Sequence, residues 1–345
     1  MTKLSIEADK FKINGRYTYS GRVFEGKPVG GLLFNVRAVQ AIFDDENPDT
    51  RQCWLYPDMN EWDPDRITEE FITALPAWKN QGILAFTVNL QGGMPIVQTE
   101  LSQPWINSAF RSDGSLKPAY LSRTREVLVA ADELGMAVII GLYYFGQDEQ
   151  LEDEKAVIVG VKNAVGWLLE TKYENIIVEI NNECDVPAYE HEILKPGRVH
   201  ELIRRAKNLT TEGRRLLVST SFSGGKLPTE EVLEEADLIL VHGNHQMPDS
   251  IKQLVKKIRR TGVYRNQPKP IVFNEDGTDT RNLDAAFEVY TSWGYYDQGK
   301  NNYKDGFQSP PVNWEINTKA KQKFFSRVAE ITGQTNRRNL KSHQS

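Results

Sequence analysis

Cysteine, long apolar runs and excess positive charge are all scarce in this sequence, and each shortage excludes a class of protein. Two cysteines, Cys53 and Cys184, in 345 residues are too few for a disulfide framework and lack the paired spacing of a zinc site. Two reduced thiols are expected, with a single disulfide between them left open. No run of about 18 apolar residues occurs, so no membrane-spanning helix is expected. With 42 Lys and Arg against 47 Asp and Glu, the net charge is −5. Such a surface has no basic excess to displace counterions from a phosphate backbone, so nucleic acid is not an expected partner. The opening residues, MTKLSIEADKFKING, carry no apolar stretch after Lys3, as a secretory leader would. The sequence as it stands reads as cytoplasmic; a leader already removed would leave the same reading, with a secreted or periplasmic protein. The oligomeric state is not legible.

What is present is an alternation of short apolar runs with longer amphipathic segments. The runs are continuous rather than alternating, the pattern of parallel strands buried on both faces. They fall at 31–36 (GLLFNV), 83–90 (ILAFTVNL), 137–142 (AVIIGL), 176–180 (IIVEI), 216–220 (LLVST), 238–241 (LILV), 270–273 (PIVF) and about 291–296 (TSWGYY). Helical periodicity lies between them at 65–80, with Pro76 as a possible kink or stop, and at 118–134, which ends on Gly135. Further helices are expected at 152–171, 198–209, 230–235, 251–261, 283–290 and 320–331. Eight such units in about 300 residues are the count for an α/β fold closed into a (β/α)8 TIM barrel. The rival, an open doubly wound sheet, usually carries a Gly-rich phosphate turn after its first strand. Here that strand leads into Arg37-Ala38-Val39-Gln40.

Three segments are expected: 1–28 as a short N-terminal β-hairpin packed on the barrel, 29–335 as the barrel, and 336–345 as a polar tail. Asn14-Gly15 is the hairpin signal. The stretches 44–64 and 91–118, after strands one and two, are long for a compact domain, and such loops are usually functional. Both would stand at the C-terminal face, where barrel active sites lie.

Two strand ends carry the chemistry. IIVEI is followed by Asn181-Asn182-Glu183, and PIVF by Asn274-Glu275. Strands four and seven lie across a barrel from one another, so Glu183 and Glu275 can face each other over its mouth. Glycosidic cleavage needs such a pair: one carboxyl protonates the leaving oxygen and the other attacks or stabilises the anomeric carbon. A separation of about 5–5.5 Å gives retention, and about 6.5–9.5 Å leaves room for water and gives inversion. Carboxylates at the ends of buried strands are costly without a purpose, which weighs against a purely structural pair.

At Asn182-Glu183 and Glu275 the chain resembles the retaining glycoside hydrolases of the clan that contains the cellulase-like family, with the acid/base on strand four and the nucleophile on strand seven. The resemblance spans nearly the whole barrel and implies a carbohydrate substrate, Glu183 as acid/base, Glu275 as nucleophile, and no cofactor or metal. It further implies that Asn182 binds the sugar 2-hydroxyl, that Trp293 stacks under the sugar, and that His242 lies near the nucleophile. Cellulase-like members place an arginine on strand two beside the nucleophile. Strand two here reads FTVNLQGG, without arginine, and Arg37 after strand one is the candidate to supply that charge. Asn35, Asn89, Tyr143 and His245 stand at strand ends as further candidates for substrate contact. So do Asn244, Gln147, Asp148 and one of Tyr144 and Phe145, with Trp54 and Trp105 as candidate sugar platforms. Two other readings remain: a non-catalytic carbohydrate-binding barrel, and a metal-dependent isomerase or hydrolase using His242, His245, Glu183, Glu275 and Asp276.

Overall fold

Apolar, largely β-branched runs bounded by polar turns place eight parallel strands in the chain, with helices between them. The computed structural model describes residues 1–95, 103–299 and 303–334; the polar tail expected at 336–345 lies outside the described residues. Five short strands come first: β1 Leu4–Glu7, β2 Lys10–Ile13, β3 Arg16–Tyr17, β4 Val23–Phe24 and β5 Lys27–Pro28. The barrel strands follow: β6 Asn35–Arg37, β7 Ala85–Asn89, β8 Ala137–Tyr143, β9 Ile176–Asn181, β10 Leu217–Ser219, β11 Ile239–His242, β12 Ile271–Glu275 and β13 Gly294–Tyr295.

Six of these form one parallel sheet in the order β10-β9-β8-β7-β6-β13, and β11 pairs with β12. The ring is completed on both sides of that pair. Val272 bridges Ser292 in parallel, and Phe273 N donates to Ser292 O at 3.0 Å. Asp237 N donates to Val218 O at 2.9 Å, and Ser219 Oγ to Leu238 O at 2.7 Å. The outer helices are α1 Pro64–Asn80, α2 Pro118–Leu134, α3 Glu154–Glu170, α4 Val199–Asn208, α5 Glu230–Glu235, α6 Pro248–Arg260, α7 Gly262–Asn266, α8 Thr280–Glu288 and α9 Lys319–Thr332. Their starts follow local chemistry. Asp63 and Asp153 accept from the first free N–H groups of α1 and α3, and proline opens α1, α2 and α6, where its missing N–H costs nothing.

Three details differ from the sequence expectation. Helix α1 runs through Pro76 to Asn80; its apolar face, Ile67, Phe71, Leu75 and Trp78, is fully buried and holds the last turn in place. The first barrel strand pairs over Asn35–Arg37 rather than from residue 31, and the eighth pairs only over Gly294–Tyr295 besides the Ser292 bridge. Instead of one hairpin, the N-terminal segment forms a three-stranded antiparallel sheet, β1-β2-β3, and a separate β4-β5 hairpin. Asn14 and Gly15, at φ 52 and 76, make the tight turn from β2 to β3. Leu4 and Phe11 of this sheet pack with Leu33, Ile177, Leu238 and Leu240 at the entering ends of the barrel strands, forming an apolar floor. Cys53 is exposed and Cys184 buried, and no disulfide joins them. Among the described residues no helix is long and apolar enough to cross a membrane.

Candidate active site

Glu275 is the last residue of β12, and Glu183 stands two residues beyond β9. Both reach the mouth of the barrel and line one cavity of about 390 Å³. Their backbones are fixed on both sides: Glu183 N donates to Ser221 Oγ at 2.9 Å, and Gly243 N to Glu275 O at 2.8 Å. Glu183 adopts φ 48, a left-handed conformation in which the Cβ of an L-residue crowds the backbone. Carboxylate oxygens of Glu183 and Glu275 and a ring nitrogen of His242 all lie within 4.8 Å of one another.

Arg37, the last residue of β6 and 1 % exposed, sits beneath this pair. Its Nε contacts Glu275 Oε2, one Nη contacts Asn182 Oδ1, and the other lies 3.4 Å from Glu179 Oε2. The guanidinium is therefore the common partner of the strand-seven carboxylate and a second, fully buried carboxylate on β9. Burial works against its charge, but Glu275 and Glu179 hold it protonated, above its ordinary value. Asn274 Nδ2 donates to the other Glu179 oxygen at 3.1 Å. A fork of fixed donors suits such a multi-carboxylate contact better than a lysine would.

His242, fully buried at the end of β11, has Nδ1 2.8 Å from Glu183 Oε1 and 3.9 Å from Glu275 Oε2. Burial lowers its affinity for a proton, but Glu275 and Glu183 overcome this and raise it above the ordinary histidine value. Burial likewise raises Glu183, yet the hydrogen bond and charge of His242, aided by Arg37, hold it below its ordinary value. The contact thus joins an imidazole raised in proton affinity to a carboxylate lowered in it. Asn244 Nδ2 donates to Glu275 Oε1 at 2.7 Å, completing the donors around that carboxylate.

The other expected residues divide by side-chain direction. Asn182 contacts Arg37, and His245 lines the cavity at its exposed rim. Trp293 does not reach the cavity: it is fully buried, packs on Phe324 and donates from Nε1 to Asp276 Oδ2 at 2.7 Å. Tyr143 points outward, its hydroxyl donating to Val157 O at 2.7 Å in α3; the next residue, Tyr144, faces the cavity. Asn35 lies one layer deeper, bonded to Leu33 O and Phe273 O, and Asn89 is buried against Gly141. Trp54 and Trp105 are core rings, Trp54 donating to Asp45 at 2.8 Å. Gln147 holds the long loop after β7 by bonds to Asn107 N and Trp105 O. Asp148 accepts from Glu190 N, and burial pushes its carboxyl up to about 6.

Sequence reasoning missed Tyr296, Gln298 and Gln308, which line the cavity from the loop after β13. It also missed the buried role of Asp276. That carboxyl is 6 % exposed and burial pushes it up to about 7, against hydrogen bonds from Trp293 and Asn282 that favour the ion. Gly243 lies so close to it that a Cβ would stand 2.3 Å from Asp276 Oδ2. A buried aspartate beside a strand-end glutamate was the available signal.

Glu183, His242 and Glu275 are also donors of the kind that hold a divalent ion. Such an ion would have to share Glu275 with the Arg37 guanidinium already seated on it, and the expected further ligand Asp276 is turned toward Trp293 and Asn282. The donor set fits a protonated network better than a metal.

No known family profile and no curated protein matches the sequence. Solved structures do match in fold. An endo-1,4-beta-mannanase from Rhizomucor miehei is 11% identical with a TM-score of 0.57, the match covering 96% of this chain and 99% of that one. A glycoside hydrolase family 5 protein from Bacteroides vulgatus is 13% identical with a TM-score of 0.57, covering 91% of this chain and 68% of that one. A beta-glucosidase from Exiguobacterium marinum is 10% identical with a TM-score of 0.54, covering 87% and 98%. At such identities the likeness carries the architecture: this chain has a (β/α)8 barrel fold, shared with these glycoside hydrolases.

Proposed function

We propose that the protein is a glycoside hydrolase that cleaves an oligo- or polysaccharide by double displacement with retention. In this reading residues 29–335 form the catalytic barrel and 1–28 close its floor. Glu275 is the nucleophile and Glu183 the acid/base. The observation that carries this is the approach of one oxygen from each carboxylate to within 4.8 Å, which supports a pair spaced for retention, at about 5–5.5 Å, over one spaced for inversion, at about 6.5–9.5 Å.

The surrounding groups divide the labour. Arg37 and Asn244 donate to the two oxygens of Glu275 and hold the carboxylate in place for attack. Attack on the anomeric carbon breaks the bond to the leaving oxygen, which takes a proton from Glu183. Glu183 receives that proton along the 2.8 Å contact with His242, so the transfer leaves Glu183 ionised and the imidazole neutral. Once Glu275 is esterified its negative charge is gone, and His242 loses one of the charges that held its proton. Glu183 is then free to accept a proton from the water that releases the sugar. Asn182, aligned by Arg37, is placed to meet the 2-hydroxyl.

The test is a screen of aryl glycosides with the protein and its Glu275→Gln and Glu183→Gln variants. A 2-deoxy-2-fluoro glycoside is expected to label Glu275, seen as a mass increment on its peptide. Azide is expected to restore activity to a Glu183 variant with retained configuration at the product. Labelling elsewhere, or turnover unchanged in Glu275→Gln, would remove this mechanism. Activity lost on chelation and restored by one divalent ion per chain would favour the metal reading.

A further inference from the structure

Among the described residues, the cavity that holds Glu183 and Glu275 is rich in hydrogen-bond acceptors and poor in cations. No lysine or arginine lines it. Arg37 lies beneath it and is committed to Glu275, Glu179 and Asn182. His242 is engaged by Glu183, and His245 stands at the exposed rim.

Gln308, on the loop between β13 and α9, lines this cavity and is 3 % exposed. Its Nε2 donates to Met94 O. A carbonyl can only accept, so the amide is oriented with nitrogen toward Met94 and oxygen to spare. That Oε1 is buried and has no partner among the described residues; Asn244 Oδ1, on the loop after β11, is in the same condition. A buried amide oxygen left unpaired bears its full desolvation cost, and such groups normally find a partner. The loop has no need of the oxygen, since Ser309 Oγ secures its neighbour by donating to Pro95 O at 2.5 Å.

We propose that Gln308 is a substrate-binding and specificity residue, whose Oε1 accepts a hydrogen bond from one hydroxyl of an uncharged glycosyl unit. A hydroxyl-bearing ring supplies the donor that Gln308 and Asn244 lack. A uronic acid instead brings a carboxylate to a chamber that already holds Glu183 and Glu275 and has no lysine or arginine in its lining to meet it. The inference rests on the glycoside-binding reading of this cavity but not on turnover.

Equilibrium binding separates the two. Isothermal titration is run with methyl glucoside, methyl mannoside, the monodeoxy analogues of each, and methyl glucuronide, on the intact protein, Gln308→Leu and Ser309→Ala. The neutral glycosides are expected to bind, the glucuronide about tenfold or more weaker. One monodeoxy analogue is expected to bind about ten- to a hundredfold more weakly than its parent, and Gln308→Leu is expected to abolish that difference. A purely structural Gln308 would weaken parent and analogue alike, as Ser309→Ala is expected to do. Should Gln308→Leu fail to fold, Gln308→Asn, which withdraws the oxygen by one methylene, reads the same coupling. Equal deoxy discrimination in variant and parent, no binding of either neutral glycoside, or preference for the glucuronide would each overturn the proposal. Binding with coupling but no hydrolysis would instead overturn the catalytic reading and leave this one standing.

Discussion

The two ends of the barrel use the same strands to opposite effect. At the floor, Leu33, Ile177, Leu240 and Val272 meet Leu4 and Phe11 of the N-terminal sheet in a purely apolar cluster. A few residues along, those strands deliver Arg37, Glu179, His242 and Glu275, equally hidden from solvent. Burying charge is unfavourable unless every group is paired, and at the mouth a single guanidinium and a single imidazole serve three carboxylates. On the proposed reading the floor serves stability and the mouth serves reactivity, and substitutions at each end should separate the two.

Glu275→Gln should have the largest effect, lowering kcat by about 10⁴-fold or more; Glu183→Gln should cost about 10²–10⁴. A mouth variant that kept its activity would break the contrast. Arg37→Met is the next test. It leaves Glu179 and Glu275 without their cation, and removing one partner of a buried pair typically costs about 3–5 kcal/mol. Denaturant unfolding should show this loss, with kcat reduced in whatever remains folded. At the floor, Phe11→Ala should lose about 3–5 kcal/mol of stability, yet kcat per folded molecule should match the parent. A changed kcat would mean the floor communicates with the chemistry.

The smallest effect concerns Asp276, between the two regimes. Its carboxyl is held up to about 7 by burial, against an ordinary value of 3.8, so the folded state prefers the neutral acid. The stability this confers is complete below about pH 4 and is lost as pH rises through 7. Asp276→Asn keeps the neutral form at all pH values. Its stability relative to the parent should rise between pH 4 and 8, by about 1–3 kcal/mol; a difference independent of pH would show that Asp276 is ionised throughout.

The barrel was legible because parallel strands covered on both faces write continuous apolar runs, and Asn182-Glu183 and Glu275 because each follows such a run directly. Parity limited the rest. Successive strand residues face opposite sides, so a one-residue uncertainty exchanges a cavity residue for a core one. Tyr143 turns to α3 while Tyr144 faces the cavity, and Trp293 turns to α9 while Gly294 packs inward against Asn35. Arg37 was found from an absence on strand two, but its second carboxylate was not. Glu179 sits inside an apolar run, where only the closed ring brings it to strand one. Gln308 has no local motif, and its place depends on a bond to Met94 some two hundred positions earlier.

The left-handed backbone at residue 183 has a consequence for how this chain could change. Glycine or asparagine would sit there with less strain, relieving on the order of 1 kcal/mol. Selection for heat resistance alone would therefore tend to discard Glu183, and if Glu183 is the proposed acid/base the hardier barrel would be silent. Under that reading, the identity of residue 183 would tell working copies of this fold from retired ones.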